Sequence, residues 1–381
     1  MKYLCYYDYN QGGHPSRSNP PASATKIRYI ANCLAEIEPT EIISASGVLG
    51  TNSDSARVDY ITKQLLIRYF FSMGRKNKIL GKLGTALVQM QLLLYLLFNV
   101  SKNETIIVYH SLAYMNLVQI AKKIKGFRLI LEVEEIYADV IGNTKIRQKE
   151  IAAIKKANAY IFPTQLLNAK LNEEGKPAII IHGTYQVESK MTSIDTDKTK
   201  VDERRIVHCV YAGTFDPRKG GAAAAAAAAA FLPSNYHMHI LGFGTEAEKK
   251  AMQDTINTIA EKSKAKVTYD GLLTGEDYIR FIQGCDIGLS TQNPDAAFNA
   301  TSFPSKILSY MANGLRVVSV RIPAIEQSEV GKMLYYYDKQ TPEEIAQAIV
   351  SVNMKDKYNS RKTIQNLDEK FKVDLRELLE A

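Results

Sequence analysis

The sequence predicts an α/β protein of two doubly wound parallel-sheet domains, and three observations lead there. Short runs of β-branched and aromatic residues alternate with helix-length segments, the alternation pauses once at a polar stretch and restarts, and 381 residues is roughly twice the commonest domain size. In the amino half the strand candidates are 2–7, 41–45, 105–109, 128–133, 159–162 and 178–182. Most are apolar on both faces, the pattern of parallel strands covered by helices on either side. The polar stretch 187–205 carries Glu188, Asp195, Asp197, Lys198, Lys200, Asp202 and Glu203 with few apolar residues to bury. It places a linker at 191–205, between an amino-terminal domain over 1–190 and a carboxyl-terminal domain over 206–360. Strand candidates then resume at 206–212, 237–242, 266–269, 286–290, 316–320 and 334–337. Nine consecutive alanines, 222–230, predict a helix lying close on the second sheet, because Ala favours the helix and carries no bulk. Residues 361–381 mix charged and aliphatic residues in helical style and are expected to pack back on the first domain.

Composition removes several classes. Hydrophobic residues at 46% and charged residues at 23% suit a folded globular chain, not a disordered or fibrous one. Cys5, Cys33, Cys209 and Cys285 lie too far apart for a CxxC redox pair, a zinc ribbon or a disulfide framework, and suit a reducing cytosol. The apolar start, Tyr3 to Tyr7, is far shorter than a signal peptide, and no uninterrupted apolar run reaches about 20 residues. Secretion and membrane spanning are therefore not expected, and a cytoplasmic location is.

The net charge of +8 is unevenly placed. Lys63, Arg68, Arg75, Lys76, Lys78 and Lys82 lie within 60–100, which holds no Asp or Glu, so six of the eight excess charges fall there. The same stretch contains Leu65-Leu66-Ile67, Tyr69-Phe70-Phe71 and an apolar run over 86–98. Basic and apolar together point to an anionic membrane surface, each Lys or Arg near the headgroups contributing about 1 kcal/mol. The plainer reading is a core helix with solvated basic neighbours. Nucleic acid is not expected: no zinc-finger spacing or RNP-type aromatic motif accompanies the charge.

Two segments carry phosphate chemistry. From Tyr211 to Gly221 the chain leaves a strand, presents Gly213, Thr214, Arg218 and Lys219, and enters the alanine helix, an arrangement suited to a diphosphate without a metal. From Asn299 to Val318 the order Ser302, Pro304, Gly314 predicts a helix starting near Pro304 with Ser302 as cap and Gly314 as left-handed stop. Ser305 and Lys306 then fall in its first turn, where a cation opposes the helix dipole unless an anion is bound. The histidines give less. His237 and His239 share a strand face, but no third ligand is evident from the sequence, so no metal is expected. Asp195-Thr196-Asp197 spells an acidic metal motif but lies in the polar linker. Gly242-Phe243-Gly244 lacks the third glycine of a dinucleotide fingerprint.

Together these motifs resemble the GT4-like nucleotide-sugar glycosyltransferases of the GT-B fold, of the bacterial surface-polysaccharide type. The resemblance rests on the Gly213-to-Gly220 loop, Gly242-x-Gly244, Asp270-Gly271, Cys285-Asp286-Ile287-Gly288-Leu289-Ser290 and above all Phe303-Pro304-Ser305-Lys306-Ile307-Leu308 through Gly314. In the amino half it rests on Gly12-Gly13, His110 and the run Glu132 to Tyr137. It implies two Rossmann-like domains facing a cleft and transfer of a sugar from a nucleotide donor to a glycan or polyprenyl-linked acceptor, with retention of configuration and without metal or cofactor. Lys219 and Arg218 would neutralise the donor diphosphate with Lys306 and Ser305, and His110 would face the transferred sugar. Gly213, Thr214, Gly242, Gly244, Ser302, Phe303 and Ser309 would line the nucleotide site; Gly12, Gly13 and Glu135 would approach donor or acceptor. Two departures stand out. Thr301 and Ser309 occupy the positions of the group's usual Glu pair, and Thr214 that of an Arg. The alternative is accordingly a catalytically silent GT-B protein that binds glycan or a partner glycosyltransferase.

Overall fold

The computed structural model describes residues 1–10, 12–191, 205–216, 221–294, 299 and 301–381. The chain divides into two compact units, Met1–Thr184 with Phe371–Ala381, and Tyr185–Lys370.

The first unit runs β1 (Lys2–Cys5), α1 (Pro21–Ile37), β2 (Thr40–Ser44), β3 (Arg57–Tyr60), β4 (Leu65–Tyr69), α2 (Lys78–Asn99), β5 (Thr105–Tyr109) and α3 (Met115–Lys125). It continues through β6 (Arg128–Glu132), α4 (Tyr137–Val140), α5 (Thr144–Ile154), β7 (Ala159–Phe162), α6 (Gln165–Leu171) and β8 (Ala178–Ile180). The eight strands order as β3-β4-β2-β1-β5-β6-β7-β8, parallel throughout except for the β3–β4 hairpin at one edge. β1 pairs with β2 on one side and β5 on the other, so the sheet reverses direction there and leaves a crevice at the carboxyl end of β1. Tyr3, Leu4, Ile43, Ile106, Val108 and Leu131 are fully buried in this sheet, as its two-sided apolar pattern requires.

The second unit runs β9 (Val207–Thr214), α7 (Ala222–Ala228), β10 (Tyr236–Phe243), α8 (Glu246–Ala260), β11 (Lys266–Gly271), α9 (Gly275–Gln283) and β12 (Ile287–Ser290). It continues with α10 (Lys306–Ala312), β13 (Arg316–Val320), α11 (Pro323–Glu326), β14 (Tyr335–Tyr337), α12 (Pro342–Val350) and the start of α13 (Ser360–Glu380). Its parallel sheet orders as β11-β10-β9-β12-β13-β14, with the direction reversing at β9. Ala222, Ala225, Ala226 and Ala228 of α7 are buried; without Cβ branches the helix can lie close on β9 and β10. The last turns of α13 belong to the first unit: Phe371, Leu375 and Leu378 are buried, and Arg128 donates to the Leu378 and Leu379 carbonyls at 2.8 and 3.1 Å.

Residues 60–100 differ from the sequence expectation. Leu65–Tyr69 form a core strand instead of a surface segment, and Arg68 is tied to Glu41 at 2.5 Å, which removes it from the free basic set. The apolar stretch extends into α2, whose 22 residues are long and apolar enough by length and composition to cross a bilayer, more than the sequence reading allowed. Gly84, Val88, Leu92, Tyr95 and Leu96 nevertheless place one face of α2 in the core of the first unit.

Candidate functional site

In the second unit the site forms where the sheet reverses direction. At the carboxyl ends of β9 and β10, Gly213 and Gly242 stand opposite each other in register. A Cβ on Gly242 would lie 1.9 Å from the Gly213 carbonyl oxygen, so these two strand ends meet backbone to backbone. A Cβ on Gly244 would lie 2.9 Å from the Glu248 carboxylate, which closes the capping box of α8 with Thr245. Thr214 accepts from the Asp216 N–H through its hydroxyl at 3.1 Å, and its carbonyl accepts from the Tyr211 hydroxyl at 3.1 Å. Arg218 and Lys219 lie outside the described residues. Gly221, where the chain re-emerges, sits against the end of β12: its carbonyl accepts from the Thr291 hydroxyl at 2.8 Å, and a Cβ there would overlap the Thr291 carbonyl.

Lys306 is the central group. It opens α10, its ammonium lies 4.1 Å from the centre of the Tyr211 ring, and a Cβ on Gly213 would come within 3.0 Å of it. A side chain at position 213 would therefore press on this cation. No carboxylate forms an ion pair with Lys306 among the described residues; burial lowers its pKa to about 8. A partly buried ammonium set against an aromatic face, with no ion pair among the described residues, is arranged to receive an anion.

The rest of this segment departs from expectation in detail. α10 begins at Lys306 with Ser305 in the cap position, and the Ser305 side chain makes no capping bond, so Ser302 is not the cap of this helix. Phe303 is buried, Ser302 half-buried and Ser305 exposed. Ser309 lies beside the Tyr278 hydroxyl at 3.5 Å. Gly314 adopts the left-handed conformation, φ 89°, that ends the helix. Tyr310, part of the signature but given no role of its own by the sequence, fixes α10 to the sheet: its ring fills the space where a Gly288 side chain would stand, and its hydroxyl accepts from the Ala212 N–H at 2.8 Å.

In the first unit Gly12 and Gly13 have φ of 90° and 80°, a conformation that favours glycine. Nothing lies within 4 Å of a Cβ on either, so the loop after β1 presents bare backbone to open space. A buried ionic network supports it. Arg17, 1% exposed, donates to Asp54 through Nε and Nη2 at 2.9 and 2.7 Å and to the Ser46 and Phe70 carbonyls, while its N–H donates to Asp8. Burial alone would raise the Asp54 pKa; the Arg17 and Arg57 guanidiniums override it and hold the carboxyl below its usual range. Arg17 and Asp54 were invisible in the sequence because they are 37 residues apart and belong to no motif.

His110 is 1% exposed, stacked on Tyr137 and bound through Nε2 to Glu150 at 2.8 Å; its buried Nδ1 has no partner among the described residues. Glu150 also accepts from the Tyr137 and Ala138 N–H groups, and these bonds with His110 outweigh burial and lower its pKa. Glu132 is fully buried against the Tyr3 hydroxyl and beside the Glu134 carboxylate. Burial, then the charge of Glu134, pushes its pKa up to about 8. Glu134 itself pairs with Lys26 at 2.5 Å, and Glu135 is half-buried. Two hollows open on this unit. One of about 210 Å³ is lined by Tyr6, Ala45, Arg75, Val88, Leu92 and Tyr114; a wider one of about 510 Å³ is lined by Arg75, Asn77, Lys78, Gly81, Lys82 and Thr85.

Residues 207–353 match the family "Glycosyl transferases group 1". No curated protein matches the chain by sequence. Among solved structures the fold is shared with an Escherichia coli trehalose-6-phosphate protein bound to UDP-2-fluoro glucose, at 10% identity, 100% of this chain, 99% of that one and TM-score 0.68. It is shared also with sucrose-phosphate synthase of Thermosynechococcus elongatus, at 12% identity, 100% and 98% coverage and TM-score 0.70. A third is HepE of Anabaena in complex with UDP and glucose, at 14% identity, 100% and 99% coverage and TM-score 0.67.

Proposed function

We propose that this GT-B glycosyltransferase, whose residues 207–353 form a glycosyl transferases group 1 domain, moves a sugar from a nucleoside-diphosphate donor to a polyprenyl-linked glycan at an anionic membrane surface. The observation that carries the donor half is Lys306, a partly buried cation with no carboxylate partner among the described residues, at the reversal point of the second sheet. Breaking the anomeric C–O bond leaves negative charge on the departing diphosphate, and a cation already partly shielded from water stabilises that charge with little reorganisation. Lys219 and Arg218, which follow β9 in the sequence, are assigned to the same charge, and Ser302, Phe303, Ser305 and Ser309 to the nucleotide. The acceptor hydroxyl oxygen bonds to the anomeric carbon on the face the diphosphate leaves, and its proton passes to the departing phosphate oxygen, so configuration is retained. No metal or cofactor takes part in this step. To the first unit we assign the roles of His110, held by Glu150, toward the transferred sugar and of Gly12, Gly13 and Glu135 toward donor or acceptor.

The acceptor half rests on α2 and its approach. Ile79, Leu83, Met90, Leu94 and Phe98 are exposed along one face, opposite the face that packs on the core. Arg75, Lys78 and Lys82 line the hollow beside it, and no carboxylate pairs with them among the described residues. Cations around an opening next to an exposed apolar stripe suit a phosphate headgroup on a lipid chain. The enzyme thus works from the cytoplasm, peripheral on the inner membrane face.

The test incubates the chain with UDP-, GDP-, ADP- and TDP-sugars and membrane lipid extract. Release of one nucleoside diphosphate, coupled to sugar incorporation into the lipid fraction, is expected; no release with any donor contradicts the proposal. In liposome flotation the protein is expected to rise with vesicles containing anionic lipid, and an Arg75→Glu/Lys82→Glu variant to stay behind. Absence of wild-type binding would return α2 to an ordinary surface helix.

A further inference from the structure

The second unit holds a histidine cluster that the donor site does not use. His237 and His239 are two residues apart on β10, hence on one face of the sheet, and His208 stands opposite His237 on β9. One ring nitrogen of each lies within 4.8 Å of the others. The sequence showed the pair on β10 but not the third member, because strand register alone brings His208 beside it.

We infer that His208, His237 and His239 form a binding site for a divalent transition-metal ion of the zinc class, structural in role and separate from the donor site. The hydrogen bonds around the rings favour this over a plain stack of imidazoles. His239 Nδ1 faces Asp270 at 3.1 Å, so its N–H points to the carboxylate and its Nε2 lone pair points into the cluster. The Thr268 hydroxyl donates to Asp270 at 2.8 Å and can therefore accept from His237 Nε2 at 3.0 Å, which turns the His237 lone pair to Nδ1. These outer contacts are the carboxylate–histidine arrangement that orients metal ligands. His208 Nδ1 and His239 Nε2 are 3.0 Å apart, close to the ~3.4 Å edge of a tetrahedron with bonds of about 2.1 Å. The third nitrogen lies within 4.8 Å of the other two, and rotation of the His237 ring would bring it to ligand distance. Without an ion, His208 Nδ1–H must donate to His239 Nε2; an ion replaces that single bond with three ligand bonds and leaves water in the fourth position. The site is sheltered but not sealed: His239 is buried beneath the edge of the Phe281 ring, while His208 and His237 are half-buried. Gly213 lies five steps along β9 from His208, about 16 Å at the rise of a strand, so the ion lies towards the amino ends of the strands and away from Lys306. It would clasp β9, β10 and, through Asp270 and Thr268, β11.

The experiment uses the untagged full chain, stripped with a chelator and titrated with Zn2+ by calorimetry, and with Co2+ followed by visible absorption. One Zn2+ per chain, a tetrahedral Co2+ spectrum displaced by Zn2+, and a rise in melting temperature with Zn2+ are expected. His208→Gln/His237→Gln is expected to lose all three. Asp270→Asn, which keeps the ligands, is expected to weaken Zn2+ binding about 10- to 100-fold. Circular dichroism of the metal-free variants verifies folding. Absence of saturable binding to the wild type, or unchanged binding in His208→Gln/His237→Gln, would overturn the assignment.

Discussion

The carboxyl ends of the two sheets handle charge in opposite ways. In the first unit the buried cations are matched, Arg17 to Asp54 and Lys26 to Glu134, and Glu132 is a surplus acid. In the second, Lys306 lies partly buried against Tyr211 with no carboxylate to answer it among the described residues. A matched network holds a loop in place, whereas an unmatched cation costs stability unless a ligand brings the counter-charge. The first arrangement therefore supports the glycine loop after β1, and the second is suited to a diphosphate.

That contrast breaks most severely at Arg17. Arg17→Ala leaves Asp54 buried beside a void and should cost about 3–5 kcal/mol, read from urea unfolding; a loss under 1 kcal/mol would show that the network is not a support. Next is Glu132. Its folded pKa of about 8 lies above its ordinary 4.5, so the native state holds a proton that the unfolded chain releases, and stability should fall as pH rises from about 4.5 through 8. Glu132→Gln should flatten that fall in melting temperature; an equal slope in both proteins would place the titration elsewhere. The smallest effect is at Gly242. Gly242→Ala forces a methyl onto the Gly213 carbonyl and should cost about 1–3 kcal/mol, with weaker nucleotide binding because the strand ends beside Lys306 part. A neutral outcome in both readouts would mean that this close approach relaxes freely.

The fold was legible because two-sided apolar strands and helix-length segments alternate through both halves, and the second-sheet strands fall where that pattern puts them. β3 and β4 were missed since Arg68 interrupts an otherwise apolar run and its partner Glu41 is 27 residues away. For the candidate site, what could be read was local: Gly213, Gly242 and Lys306 belong to short motifs, and the structure brings all three to adjacent strand and helix ends. What could not be read was long-range. Arg17–Asp54, His110–Glu150 and Tyr310 against Gly288 depend on which distant segments the sheet places side by side, information that no single stretch of sequence carries.

The donor role of Lys306 is tested most directly by calorimetric titration of nucleoside diphosphate into the wild type and Lys306→Met. Because the Lys306 pKa is lowered to about 8 from 10.5, the unfolded chain holds the proton more tightly than the folded one. The cost of the buried cation is present below pH 8 and is relieved as pH climbs from about 8 to 10.5. Lys306→Met should therefore be as stable as the wild type, or more so, at pH 7. It should bind the diphosphate about ten- to a hundredfold more weakly, the worth of one charged contact, and wild-type affinity should fall as pH rises through 8. Equal affinity in the two proteins at pH 7, with no decline in the wild type above pH 8, would contradict the placement of the donor diphosphate on Lys306.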